Sequence, residues 1–329
     1  MNASDGQWPR RIAEREFVFL LGAISATTAL GIDMALPAFT DIRLGLGLAA
    51  DSTQVGLTVT LYFFGLAGAQ MFYGPFTDRF GRKPVLYAGL ALYTLGALGS
   101  AFAPTFGFLV VSRLIWGIGA AGPRALTLAI GRDLYEGDRL ARVLAAVAAV
   151  FMLVPAIAPL LGKAVLAVGT WRWVMGAPIV LTVVLAIWVI RLPESLPPAR
   201  RRPLTLSRTR EAIVAVFANK VTIGSALAVM FDMGSFVAFL GSSQLLFDDV
   251  YGRGDVFAYY FAGMSLFMGL VVFTGSRQVT RIGADRAIVA LLPTGQSWRS
   301  CRPRWSSRWS WHCGRGRPAV SRGSSAGSP

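Results

Sequence analysis

Eight long apolar runs, separated by short polar segments, account for most of the chain as far as Gly275. Most of these runs are close to the length of α-helix that crosses the hydrocarbon core of a bilayer. The first run follows basic residues, as a secretory signal does, but it is too long and no cleavage site is evident. The pattern therefore predicts an all-α polytopic membrane protein, with helices at about 17–39, 54–73, 84–103, 106–130, 143–168, 171–191, 214–240 and 255–275.

The composition supports a membrane protein and argues against an enzyme. Hydrophobic residues make up 54% of the chain, charged residues make up 15%, and the mean hydropathy of +0.55 lies outside the usual soluble range. The only histidine, His312, and both cysteines, Cys301 and Cys313, lie near the carboxyl end. The rest of the chain thus lacks the residues for cysteine–histidine catalysis, a serine–histidine–aspartate triad or the common zinc sites. We expect no enzyme activity, no cofactor and no metal site.

The net charge of +15 is better explained by membrane topology than by a nucleic-acid partner. Most cations lie in polar segments on the same side as the amino terminus. Because cytoplasmic loops are enriched in lysine and arginine, the amino terminus is predicted to be cytoplasmic. Only four cations are placed on the other side: Arg43, Lys163, Arg172 and Arg253.

The segment between the second and third runs combines glycine with one acid and several cations, which predicts a tight charged turn over 74–83. Its pattern, Gly-x-x-x-Asp-Arg-x-Gly-Arg-Lys, closely resembles the signature between helices two and three of the major facilitator superfamily, a family of secondary transporters. An ordinary cytoplasmic loop would explain the cations but not the glycine and aspartate spacing. The resemblance implies a gating motif that consists of Gly74, Asp78, Arg79, Gly81, Arg82 and Lys83.

Three of the charged residues inside apolar runs are candidates for buried charges, each of which costs roughly 2.5–3.5 kcal/mol on insertion scales. Asp33, with Pro37 after it, resembles the first-helix motif of drug:proton antiporters in the superfamily; a hydrated, structural carboxylate is the alternative. Arg113 resembles the fourth-helix arginine that is associated with proton coupling. Asp232 lies in the seventh run, which corresponds to the first run across the two half-repeats. The resemblance implies that Asp33 carries the proton, that Arg113 tunes it and that Asp232 is a second site.

The fifth run contains Pro155, Pro159 and Gly162. A proline in a spanning helix frees a carbonyl group and allows bending. The segment that ends at Gly162 resembles the fifth-helix antiporter motif, which implies a part in gating. It departs from that motif because Lys163 stands where the family often has a second glycine, and Ala158 replaces the glycine before the proline. Without the resemblance, a kinked packing helix would explain these residues better.

The resemblance also predicts how the chain is divided. It is strongest to the Bcr/CflA group of drug exporters, which have twelve helices in two halves. Residues 1–191 would form a complete six-helix half and 192–212 a cytoplasmic linker. An incomplete second half would cover 213–292, with helices seven, eight and the start of nine. The segment 277–286 has the form of a worn copy of the charged motif.

Residues 293–329 depart from this pattern, because they are rich in arginine, serine and tryptophan and contain no acid. One interpretation is a disordered basic tail that contacts anionic lipid or nucleic acid. The other, which we favour, is translation out of frame, because helix nine stops at the same point. We then expect the 329-residue product to insert but to be unstable and to confer no drug resistance. A frame-restored version, in which the codons after Pro293 are read in the frame that continues the apolar runs, is expected to confer it.

The resemblance implies proton-coupled efflux of small amphipathic drugs, such as chloramphenicol or bicyclomycin, across the bacterial inner membrane. The transporter would work as a monomer by alternating access, with protons, drugs and the bilayer as its partners and no nucleic acid. Three alternatives stay open: a metabolite transporter of the same superfamily, a truncated remnant without transport activity, and a membrane anchor that acts through its basic tail.

Overall fold

The computed structural model describes residues 13–49, 51–201, 214, 218–282, 301–304 and 310–313. The chain divides into two compact units, Met1–Phe267 and Met268–Pro329. The first unit contains all the spanning helices except the end of the last one.

Eight helical segments of the described residues are long and apolar enough to cross a membrane, which confirms the predicted all-α membrane fold. A continuous helix is favoured there because each backbone N–H and C=O must find a partner within the protein. The helices are α1 (Glu14–Asp33), α2 (Phe39–Gly45), α3 (Leu57–Phe80), α4 (Arg82–Ala101), α5 (Phe106–Leu134), α6 (Gly137–Val168), α7 (Trp171–Val189), α8 (Lys220–Leu245) and α9 (Phe257–Ile282). Short 3₁₀ helices cover Leu36–Ala38, Thr53–Gly56, Pro198–Arg200 and Gly254–Val256, and a π-helical turn covers Leu246–Val250.

The first spanning segment is broken between α1 and α2. Pro37 has no backbone N–H, so the Asp33 carbonyl group receives no bond from the residue that would normally supply one. The Ala35 N–H bonds the Ile32 carbonyl oxygen at 3.1 Å rather than that of Gly31. The Gly31 carbonyl group is thereby left for a side chain.

The helices on either side of the charged motif lie closer together than the sequence predicts. Because α3 continues to Phe80 and α4 begins at Arg82, Gly81 alone separates them. The predicted turn over 74–83 is therefore wrong in its length. Gly81 has a φ of 100°, in the left-handed region that glycine adopts at little cost. The physical reason for the difference is that the apolar pattern marks the width of the bilayer, whereas a helix can continue beyond it into water.

Glycines allow α3, α4 and α5 to approach one another closely. Gly117 of α5 lies against the backbone of Tyr62 on α3, and Gly96 of α4 lies against the backbone of Trp116 on α5. A side chain at either glycine would overlap these backbone atoms. Small residues at helix interfaces are the usual solution in a bilayer, where packing drives association.

We expect Gly117→Ala to destabilise this helix bundle. The added Cβ would collide with the Tyr62 carbonyl oxygen, which cannot move without shifting α3. Overpacking of this kind typically costs about 1–3 kcal/mol. Thermal unfolding of the detergent-solubilised protein measures the effect. Gly68→Ala is the matched control, because a Cβ at Gly68 meets nothing within 4 Å. Equal unfolding temperatures for the two variants would contradict the prediction.

The helices α8 and α9 have their buried residues at the ends that adjoin each other. Leu240 and Leu245 of α8 and Phe257 and Phe261 of α9 belong to the hydrophobic core. Most of the remaining length of α8 is exposed, including Asp232. Within the first unit, these two helices therefore contact the six preceding spans mainly at the end of the bundle opposite Gly81.

In the second unit, the described residues beyond α9 form two short antiparallel strands, β1 (Cys301–Arg304) and β2 (Ser310–Cys313). The sequence does not predict this ladder, because the segment has no regular alternation of apolar and polar residues. The start of a ninth helix lies outside the described residues, as do the side chains over 277–286. The assignment of residues 293–329 to an aberrant or disordered tail, and the domain limits, stay predictions.

Candidate functional site

Side chains from three helices donate hydrogen bonds to backbone carbonyl groups near the end of α1. The Tyr93 hydroxyl donates to the Thr27 carbonyl oxygen at 2.8 Å, and the Tyr62 hydroxyl donates to that of Thr28 at 2.9 Å. A buried tyrosine hydroxyl needs such a partner. These bonds attach the end of α1 to α3 and α4.

Arg113 of α5 binds the carbonyl group that the helix break leaves free. It is fully buried, and its Nη1 donates to the Gly31 carbonyl oxygen at 2.7 Å. A cation at a helix carboxyl terminus is favourable because the last carbonyl groups carry partial negative charge. The guanidinium carbon also lies 4.9 Å from the Trp116 ring centroid and 5.8 Å from that of Tyr62. Arg113 is thus a structural clamp on α1.

The same arginine keeps unused hydrogen-bonding capacity. Among the described residues its Nε and Nη2 have no partner, and neither does Trp116 Nε1. Buried donors are rarely left unpaired, and those that remain require an explanation. A further group with a hydrogen-bond acceptor, such as a carboxylate, could therefore bind to these donors.

Asp33 lies at the break itself, as the last residue of α1. It is 4% exposed. In the described part of the chain it forms neither a hydrogen bond nor an ion pair, so its predicted partnership with Arg113 is not a direct contact in this conformation. A carboxylate is unfavourable at a helix carboxyl terminus. Asp33 is therefore a buried acid that its surroundings do not stabilise by a specific contact.

The polar groups converge on Gly31. A Cβ at this position would lie 3.0 Å from both the Tyr62 and Tyr93 hydroxyl oxygens and 3.2 Å from Trp116 Nε1. We call the set the α1-break cluster and define it as Thr27, Thr28, Gly31, Asp33, Tyr62, Tyr93, Arg113 and Trp116. Glycine at position 31 is needed so that these groups can approach the backbone.

The residues of the predicted fifth-span motif lie on α6, and one of them packs at the α1 break. Gly162 of α6 packs against the Met34 carbonyl group so closely that any side chain would collide with it. Pro159 is buried beside it along α6, and Pro155 is partly buried. The helix remains continuous through both prolines. Gly162 thus packs α6 against Met34, the residue that follows Asp33.

Asp232 is not part of the cluster. It is exposed on α8, and among the described residues it forms no hydrogen bond or ion pair. Its role as a second proton site stays a prediction.

At the opposite end of the bundle, Arg82 joins three helices. Its Nη1 donates to Asp78 at 2.8 Å and to the Thr77 hydroxyl at 2.6 Å, and its Nε donates to Asp133 of α5 at 2.8 Å. A guanidinium that bridges two carboxylates restrains both helices more firmly than a simple exposed pair would. The gating motif therefore has a defined centre at Arg82.

Glu194, after α7, caps the start of α4. Its carboxylate accepts from the Arg82 backbone N–H at 2.8 Å and from that of Lys83 at 3.1 Å. The Lys83 ammonium donates to the Ile190 carbonyl oxygen at 2.9 Å. Of the remaining motif residues, Arg79 is exposed over the Phe80 ring. Gly74 is also exposed, with space around it.

Sequence reasoning missed several of these residues. Tyr62, Tyr93 and Trp116 could have been found as aromatic residues with polar tips inside spanning helices. Asp133 and Glu194 could have been found as acids next to clusters of cations. Within the described residues no group of histidine, cysteine, aspartate or glutamate is arranged to hold a metal ion.

Comparison with known proteins agrees with this architecture. Residues 19–295 match the model of the Major Facilitator Superfamily. A bicyclomycin resistance protein homolog of Haemophilus influenzae is 32% identical over 273 residues, which are 82% of this chain and 68% of that protein. Multidrug resistance protein MdtL of Salmonella heidelberg is 27% identical over 246 residues, which are 73% of this chain and 61% of that protein.

A solved structure has the same fold. The crystal structure of a bacterial homolog of the human lysosomal transporter Spinster superposes with a TM-score of 0.62 at 17% identity, covering 85% of this chain and 64% of that one. The chain spans about two thirds of the length of the curated relatives, with coverages of 68% and 61%. Because the family match extends over most of the sequence and the spanning helices are arranged as in a solved transporter, this chain belongs to the major facilitator superfamily, a family of multi-pass membrane transporters.

Proposed function

We propose that this sequence encodes part of a proton-coupled exporter of small amphipathic drugs, which in its frame-restored version works across the bacterial inner membrane by alternating access, with its amino terminus in the cytoplasm. The observation that carries the proposal is Asp33, a buried carboxyl group at the break in the first spanning segment that has no partner among the described residues. The substrate class is supported by relatives whose names refer to bicyclomycin resistance and multidrug resistance.

Asp33 is the proposed proton carrier, since an ionisable residue inside the membrane is a functional candidate by default. The residues between α1 and α2 are not α-helical, so a change in the angle between the helices can bring this carboxyl group to water. When the site opens outwards, Asp33 takes up a proton. When it opens inwards, the proton leaves and a drug molecule binds in exchange. The proton gradient thereby drives export.

Arg113 is proposed to hold Asp33 after the proton has left. Its Nε and Nη2 have no acceptor in the described part of the chain, and Gly31, which it already binds, stands two positions before Asp33. A small movement of the end of α1 would let the carboxylate accept a bond from the guanidinium, and charge-assisted bonds of this kind are strong. Trp116 Nε1 offers a further donor.

The remaining motif residues are proposed as gating elements. Gly162 couples α6 to the α1 break, with Pro155 and Pro159 allowing α6 to bend. The Arg82 network restrains the inner ends of α3, α4 and α5. The proposed transporter is a monomer whose partners are protons, drugs and the bilayer, and it uses no cofactor and binds no nucleic acid.

Proton release on addition of drug tests this proposal. Everted membrane vesicles that contain the 329-residue chain or its frame-restored version are energised, and their internal acidification is followed with a fluorescent amine. We expect chloramphenicol or bicyclomycin to release protons from vesicles with the frame-restored version, but not from vesicles with the 329-residue chain or with neither protein. Proton release by sugars or organic acids, with none by the drugs, would instead indicate a metabolite transporter.

A further inference from the structure

Arg43, close to the end of α2, forms an ion pair with the segment that follows α8. Its Nη1 and Nη2 donate to the two carboxylate oxygens of Asp249 at 2.9 and 2.8 Å. One turn earlier, the Thr40 hydroxyl donates to the carboxylate of the adjacent Asp248. Arg43 is only 4% exposed, although it lies at the end of a spanning segment. This bidentate pair connects the first and seventh spans.

A second contact lies on a different pair of helices. The Lys163 ammonium of α6 donates to the Asp255 carbonyl oxygen at the start of the eighth span. It also stands 4.4 Å from the centroid of the Tyr259 ring on α9. A cation over an aromatic face is attracted by the ring electrons. The fifth and eighth spans are thus joined by one side chain.

This contact explains the departure of the helix-five segment from the family motif. A glycine at position 163 could make neither contact, whereas the lysine side chain makes both. Lys163 also follows Gly162, which packs on Met34 at the α1 break. Lys163 therefore lies between the break in the first span and α9.

Both contacts lie at the end of the bundle opposite the Arg82 network, which the predicted topology places outside. A third close approach occurs at the same end, where a Cβ at Gly56 would lie 2.9 Å from the Gly241 carbonyl oxygen of α8. The two spans of the second half are thereby held against the first half at this end. In the predicted topology, this is the end of the bundle that has to open when the transporter faces outwards.

We propose that Arg43 and Lys163 are gating residues that hold the outer entrance closed, and that both contacts break when the transporter opens outwards. We call the set the outer lock and define it as Thr40, Arg43, Lys163, Asp248, Asp249, Asp255 and Tyr259. The proposal rests on the alternating access of the proposed function. It adds the residues that control one of the two gates.

The chemistry of the outer lock suits a reversible gate. A bidentate arginine–carboxylate pair has a specific geometry, and removing one partner leaves the buried guanidinium without compensation. The Asp249 side chain, however, is 36% exposed, so water can replace the arginine when the contact opens. Because α2 follows the α1 break, movement of Arg43 away from Asp249 would also move the segment next to Asp33.

Accessibility of a buried cysteine tests the outer lock without drug or proton gradient. The background is the 329-residue chain with Cys301→Ser and Cys313→Ser. Ser243→Cys serves as the reporter, because Ser243 is 3% exposed on α8, about one turn before Asp248. A membrane-impermeant maleimide is added from outside to intact cells, and the labelling rate is expressed per folded protein. We expect Arg43→Gln or Lys163→Gln to raise the rate about tenfold, and the pair together to raise it further.

Three further variants make the test specific. Arg253→Gln is the matched control, since Arg253 is an exposed outer cation with no described side-chain contact, and its labelling rate should equal that of the background. The double exchange Arg43→Asp with Asp249→Arg should return the rate toward the background. If Arg43→Gln folds poorly, Lys163→Gln and Tyr259→Leu test the second contact, at a more exposed site, by the same labelling rate.

The outcomes separate the outer lock from the proposed function. Unchanged labelling in Arg43→Gln and in Lys163→Gln would overturn the outer lock, whatever the vesicle experiment shows. Faster labelling together with no drug-induced proton release would support the lock and overturn the drug-efflux proposal. Faster labelling in Arg253→Gln to the same extent would also overturn the lock, because it would show a general effect of outer charge.

Discussion

Asp33→Asn is expected to abolish proton-coupled export while leaving the abundance of the protein in the membrane nearly unchanged. The amide has almost the same shape as the carboxyl group but cannot release a proton. Removing an acid from the membrane interior also relieves an insertion cost, roughly 2.5–3.5 kcal/mol for a charged aspartate. Growth at increasing drug concentration and proton release from vesicles measure export, with the frame-restored version as parent. Membrane abundance is compared by immunoblot.

Asp232→Asn is the matched comparison, because it removes the other intramembrane acid from an exposed position without described contacts. We expect this variant to lose less export activity than Asp33→Asn, because Asp232 is only the second site. Export at the parent level by Asp33→Asn would remove Asp33 from the mechanism. Loss of export in Asp232→Asn alone would transfer the proton-carrying role to α8.

Arg113→Lys is expected to reduce export about tenfold, which corresponds to roughly 1.4 kcal/mol of lost interaction in the working cycle. A planar guanidinium can bond the Gly31 carbonyl oxygen, lie close to the Trp116 and Tyr62 rings and keep donors free for Asp33. An ammonium is a compact point charge that cannot do all of these at once. Drug resistance at matched membrane abundance measures the loss.

Arg124→Lys is the control for that experiment. Arg124 belongs to the same helix but is exposed, with its guanidinium carbon 5.8 Å from the Phe151 ring centroid. Such a side chain can keep its charge in water with either head group, so export should equal that of the parent. Equal resistance with arginine and lysine at position 113 would favour a purely structural role for Arg113.

The sequence alone determined the features that depend on local composition. The length and polarity of each apolar run predicted the eight spanning segments, because a bilayer accepts little other than apolar helices of sufficient length. The spacing of glycine and charge over 74–83 identified the superfamily. Asp33 and Arg113 could be selected because ionisable residues are rare in such runs.

The tertiary structure decided which groups meet. Hydropathy contains no information about partners distant in sequence, so it could not show that Tyr62, Tyr93 and Arg113 bind carbonyl groups of α1. Nor could it show that Arg113 and Asp33 are not in direct contact. In the same way, the sequence showed Lys163 only as a departure from the family motif, whereas the structure shows that it donates a hydrogen bond to the Asp255 carbonyl oxygen. A buried charge is costly wherever it lies along the chain, but only the packing of helices far apart in sequence determines which atoms compensate for it.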